Sequence, residues 1–195
     1  MTKTNGLQQT DESVAPAAVA ELSASCARFV HAKYGVPLDG TSDTLSFLDQ
    51  YVRDARAELR EDDPKLDLLS ATIGSYLGEV IRRAFGGNWF ATGEYDGWRL
   101  DMTRVYLTFN PLGMAREALT LGAAEGWHAH LEMDDAEKDE VERRLEALPA
   151  VSDEEFYLPS TRFDVVSLAV EALRAKMIAE GTGDVVFTPD DYRKK

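Results

Sequence analysis

From about Lys65 to Phe85 the chain is apolar on most of one circumference, and this stretch limits the folds open to it. Leu66, Leu69, Ile73, Leu77, Val80 and Ile81 recur at helical spacing. Beside them runs a row of small residues, Ser70, Gly74 and Gly78, each four positions from the last. Glycine inside a helix costs about 1 kcal/mol relative to alanine. Two glycines one turn apart therefore predict a buried central helix on which a neighbouring backbone closes tightly. Within it, Glu79 stands three and four positions before Arg82 and Arg83, the spacing of a helical ion pair. A carboxylate in so dry a setting is also a candidate acid or base, but the ion pair needs no further assumption.

The rest of the sequence supplies what packs around that helix. Helices are expected from about Ala17 to Tyr34, closed by Gly35, and from Ser42 or Asp43 through the stripe Leu45, Leu48, Val52, Ala55 and Leu59. Glu61 to Pro64 form the break before the central helix. Gly86 and Gly87 end it. Three strand-like stretches follow, Asn88–Thr92, Trp98–Met102 and Arg104–Phe109, with Asp96-Gly97 as a turn suited to positive φ. Asn110-Pro111 opens a short helix through Leu119. Trp127–Glu132 alternates and is expected as a further strand. Asp134 or Asp135 caps a charged helix with a thin seam of Val141, Leu145 and Leu148, stopped by Pro149. After a loop through Pro159, Ser160 and Thr161, a last helix carries Phe163, Val166, Val170, Leu173 and Met177. Helices, then strands, then helices predict an α+β fold, helices packed on a small antiparallel sheet, in a single domain. Its expected limits are residues 15–189, between a disordered polar leader (1–14) and a polar tail (190–195).

With 195 residues the chain is long enough to bury one sizeable core. Its lone cysteine, Cys26, falls among apolar helical positions and reads as a small hydrophobe. A single cysteine can form no disulfide within the chain, which fits a reducing compartment. Residues 1–13 lack the apolar segment of a signal peptide, and no apolar run approaches the ~20 residues needed to cross a bilayer. The expected location is the cytoplasm. A formal net charge of −14 repels nucleic-acid phosphates and anionic membranes, so neither is expected as a direct partner.

Motifs of catalysis are sparse. There is no Gly-x-Ser-x-Gly elbow, no Cys-x-x-Cys pair and no phosphate loop. Asp62 and Asp63 are adjacent in a turn, where neighbours face water instead of converging on a substrate. His128, His130 and Glu132 would share one face of a strand, a donor set competent for zinc or iron(II). The same alternation places polar residues there without any metal, so no metal or other cofactor is expected. Trp89, Tyr95, Trp98 and Tyr106 crowd the meander, as a candidate binding groove or as packing between sheet and helix. Asp134, Asp135, Glu137, Asp139 and Glu140 crowd one short helix with little apolar face.

The run Gly74-Ser75-Tyr76-Leu77-Gly78-Glu79-Val80-Ile81, followed by Phe85-Gly86-Gly87-Asn88-Trp89, resembles uncharacterised bacterial domains of unknown function. In these a Tyr-Leu-Gly-Glu helix leads through glycines into a tryptophan-bearing strand. The similarity covers about residues 45–110, and Ser160-Thr161-Arg162-Phe163-Asp164 resembles a second recurring feature. The resemblance implies a compact bacterial α+β domain and no particular activity. The functional expectation is a non-enzymatic interaction module of inhibitor, immunity or adaptor type. It would meet a basic partner protein through the acidic helix. The alternative is an enzyme that binds metal or a small molecule through His128, His130 and Glu132.

Overall fold

The computed structural model describes residues 14–60, 63–147 and 149–193. Residues 1–13 of the expected leader, Glu61-Asp62, Leu148 and the last two residues lie outside them. Helix α1 (Ala17–Tyr34) precedes α2 (Leu45–Glu58) and α3 (Lys65–Phe85). Strands β1 (Gly87–Phe90), β2 (Arg99–Met102) and β3 (Thr108–Phe109) form an antiparallel sheet in the order β1-β2-β3, with Trp89 opposite Leu100 and Asp101 opposite Thr108. Then come α4 (Pro111–Thr120), α5 (Asp135–Leu145), α6 (Asp153–Phe156), α7 (Pro159–Ala179) and α8 (Pro189–Tyr192). The fold is α+β, with helices packed around a small antiparallel sheet. No helix among the described residues is long and apolar enough to cross a membrane.

Helix α3 is the centre. Every residue from Ser70 to Ile81 is buried, and α1, α4 and α7 all pack on it. The small-residue row explains the closest of these contacts. A Cβ on Gly74 would come within 2.6 Å of the Pro111 carbonyl oxygen, so the first turn of α4 lies directly on the α3 backbone. Gly78 differs from the expectation: it faces a side chain. A Cβ there would meet the Trp89 ring at 2.5 Å. The space lets the Trp89 Nε1–H donate to Glu79 Oε1 at 2.8 Å, while Arg82 grips the same carboxylate at 2.8 and 3.0 Å. Glu79 is thus a buried ion pair locked by an indole. The Tyr76 hydroxyl accepts the Gly40 N–H at 2.8 Å. Tyr76 therefore holds the turn at Gly40 against the central helix, while Gly78 and Glu79 together seat Trp89.

Several local expectations give way to tertiary bonding. The third strand shrinks from Arg104–Phe109 to two residues because α8, in the expected polar tail, supplies Tyr192. Its buried hydroxyl donates to the Met102 carbonyl at 2.6 Å and accepts the Leu107 N–H at 3.1 Å, taking backbone groups a longer strand would have paired. Gly97 closes a 3-10 turn (Tyr95–Gly97), and the positive φ falls on Gly93 instead. The helix expected from Ser42 or Asp43 is preceded by a 3-10 turn at Ser42–Thr44, in which the Thr41 hydroxyl accepts the Asp43 N–H, and α2 itself starts at Leu45. The segment expected as a loop through Pro159 contains α6, opened by a Ser152–Glu155 capping box, and α7 already begins at Pro159. Trp127–Glu132 keeps its alternating burial but forms no strand. Its regular pairing with β3 is one bridge, Thr108 with Glu132, and His128 has a φ of 50° that breaks the ladder.

Candidate functional site

Helix α5 rests on α7 through Val141, its single buried residue. Its carboxylates are less free than their density suggests. Glu137 pairs with Lys176 of α7 at 2.9 Å. Asp135 pairs with Lys138 at 2.6 Å, and Glu140 is held by both Arg143 and Arg144. Those two guanidinium groups hold the Glu140 carboxyl below the usual range, while Glu137 raises the Lys176 ammonium above its own. Asp134 occupies the N-cap position but gives no side-chain cap bond. Asp139 is exposed and carries no ion pair among the described residues. The face is still acidic, but it is a lattice of screened pairs with a few outward carboxylates.

The four aromatics do not form one groove. Trp98 is buried and meets Tyr95 edge-on at 5.1 Å, in a small core with Val19, Ala71 and Leu112 that Trp89 also joins. Tyr106 lies apart, stacked on Tyr192 at 4.8 Å. The arrangement is packing between the meander and its helices.

His128 and Glu132 do come together, Nδ1 to Oε1 at 2.9 Å, both about half exposed. His130 instead borders a cavity beside α5. Among the described residues, no three histidine, cysteine, aspartate or glutamate side chains converge as a metal site. Cys26 is buried and its thiol is pushed up by desolvation, which suits a packing role.

The sequence reading missed three buried carboxylates. Asp49 receives the Ser160 N–H at 3.0 Å and its hydroxyl at 2.6 Å, and so anchors the start of α7 on α2. Asp101 accepts the Thr108 hydroxyl at 2.6 Å. Burial raises both carboxyls above the usual aspartate range, with their hydrogen bonds opposing the shift. The third is Glu117, fully buried in α4 and paired with Arg162 Nη2 at 2.5 Å. The Arg162 guanidinium lies 4.4 Å from the Phe156 ring and 5.2 Å from that of Tyr157, and burial lowers its pKa against the pull of Glu117. The available signal was the apolar context of Glu117 in Met114-Ala115-Arg116-Glu117-Ala118-Leu119. Beside Arg162, a cavity of about 760 Å³ opens between α5, α6 and the start of α7. Arg162 Nε is buried without a hydrogen-bond partner among the described residues.

No curated protein and no solved structure matches the chain. A model of a family of unknown function, DUF6278, matches residues 1–99, which takes in α1 to α3, β1 and the Glu79–Trp89 lock but neither α5 nor Arg162. With half of its length matched, the chain belongs to DUF6278.

Proposed function

We propose that the protein is a non-enzymatic interaction module, of inhibitor, immunity or adaptor type, that meets a basic partner protein through the outer face of α5. The observation that carries this reading is the outward set of carboxylates on a helix with one buried residue. Such a helix contributes little to the core, and the Glu137–Lys176 pair ties it to α7. Exposed charges of one sign steer association and select partners more than they add affinity. The other buried ionic groups hold structure: Glu79 is locked to Arg82 and Trp89, and Asp49 to Ser160. The cytoplasm and a bacterial host suit such a module.

The test is co-purification with parent and with Asp135→Lys, Asp139→Lys as bait. Both positions are exposed, so the double variant is expected to fold as the parent does. The expected result is a basic protein retained by the parent and lost by the variant. Equal retention by both would remove the α5 face from consideration.

A further inference from the structure

We propose that the partner of the acidic face docks as a basic amphipathic helix, laid along α5 with its bases on the carboxylates and its apolar side in the cavity between α5, α6 and α7. This rests on the partner-binding reading and adds to it the form of the partner's segment and its apolar half. The cavity has a volume of about 760 Å³, and its walls include Leu131, Met133, Val141, Leu145 and Val165. At its mouth Val151 and Phe156 are 48% and 40% exposed. Apolar surface left open in a concave site is what the apolar anchor of a partner covers.

The occupant's charge follows from the rim. Asp135, Asp139, Glu142 and Glu146 succeed one another at four, three and four positions, so they form one stripe along α5 and its C-cap. All of them are exposed. Glu142 and Glu146 also border the cavity, which puts the C-terminal half of the stripe on its lip. Asp139, Glu142 and Glu146 carry no ion pair among the described residues. The lysine and arginine that line the cavity are engaged, Lys138 by Asp135 and Arg162 by Glu117. A carboxylate rim beside an apolar floor complements an apolar segment flanked by bases. A second copy of the chain would bring a further charge of −14 and be repelled.

The segment's form follows from the period of the stripe. Its carboxylates recur once per turn over about 16 Å, at 1.5 Å per residue. A helix lying alongside presents lysines or arginines at the same period, and its neighbouring apolar stripe then enters the cavity, as in helix-in-groove recognition. The stripe is the ridge between two unlike flanks of α5. Val141 and Leu145 face the cavity on one side, whereas Glu140, Arg143, Arg144 and Lys176 line the other. Apolar depth for an anchor exists on the cavity side.

The experiment is an anisotropy titration of the full chain with two labelled synthetic peptides, each about 14 residues or four helical turns long. One carries leucines on one helical face and lysines on the other. The second has every leucine replaced by glutamine, with the lysines unchanged. The parent is expected to bind the leucine peptide saturably, one per chain, and the glutamine peptide at least about tenfold more weakly, the scale of one anchoring side chain. Leu145→Trp fills the cavity without changing its charge, and is expected to bring the leucine peptide down to the affinity of the glutamine peptide. Should that variant fail to fold, Val151→Asn at the exposed mouth decides: it is expected to weaken the leucine peptide by about threefold and leave the glutamine peptide unchanged. Glu142→Gln with Glu146→Gln is expected to weaken both peptides alike. No saturable binding of the leucine peptide, or a folded Leu145→Trp or Val151→Asn that keeps the full preference, would overturn the proposal. Equal affinity for the two peptides, lost together at high salt, would overturn it and leave the acidic-face reading intact, since that reading needs charge alone. Undiminished binding by Asp135→Lys, Asp139→Lys would overturn the alignment along α5 and the face reading with it.

Discussion

Single atoms decide several contacts around α3. At Gly74 one added carbon would strike the backbone of α4, which cannot give way as a flexible side chain does. Gly74→Ala is expected to lower stability by about 1–3 kcal/mol through overpacking, read as a shift in denaturant midpoint. An unchanged midpoint would mean that α3 and α4 do not meet as described. The Tyr192 hydroxyl works in the opposite sense, by supplying what the backbone lacks. Tyr192→Phe leaves the Leu107 N–H and the Met102 carbonyl without their partner, at a cost of about 1–3 kcal/mol. Thermal melting of the variant at the parent temperature would contradict that. Asp101 gives a pH signature. Its carboxyl pKa is raised by burial, so the folded state holds its proton more tightly than the unfolded chain does. The stability it contributes is present below the unfolded value, about 3.9, and is lost as pH rises through the folded value. The stability of Asp101→Asn relative to the parent should therefore improve from pH 4 to pH 7. A difference that stays flat or falls over that interval would show that the carboxyl is not desolvated.

Among the elements, those legible in the sequence are the ones whose reason is local or periodic. The stripe of α2, the apolar breadth of α3 and the Asn110-Pro111 start of α4 carry their own signals. Asn110 indeed accepts the Leu112 N–H at 2.9 Å. The illegible parts depend on distant partners. β3 is short because Tyr192 arrives from 85 positions away. Residues 127–132 alternate as a strand should, yet His128 turns to positive φ and the run touches β3 at one bridge. At the candidate site, the acidic crowding of α5 was plain in the sequence, but its screening by Lys176 was not, because the base lies on another helix. Arg162 and Glu117 each have a local signal in their own segments, while their pairing across 45 positions has none. Burial also ranks the elements dynamically. α3 is buried from Ser70 to Ile81, and α5 buries Val141 alone. Hydrogen exchange should thus be slowest in α3 and far faster in α5. Comparable protection in the two helices would contradict this account of α5 as a surface element.

For the whole molecule, the functional reading joins a net charge of −14 to an outward carboxylate face on a weakly embedded helix. Many acidic proteins use such charge for nothing more than dispersion, so the discriminating property is directional attraction to a partner. Steering by exposed charges is screened beyond about 8 Å at physiological ionic strength, whereas packing of apolar surface is not. The direct measurement is the association rate of the co-purified partner, by stopped flow, across a salt series for parent and for Asp135→Lys, Asp139→Lys. The rate for the parent should fall steeply with salt, and the variant should be slow at low salt and nearly flat across the series. A parent rate indifferent to salt, or a variant that matches it throughout, would contradict the claim that the protein works through the face of α5.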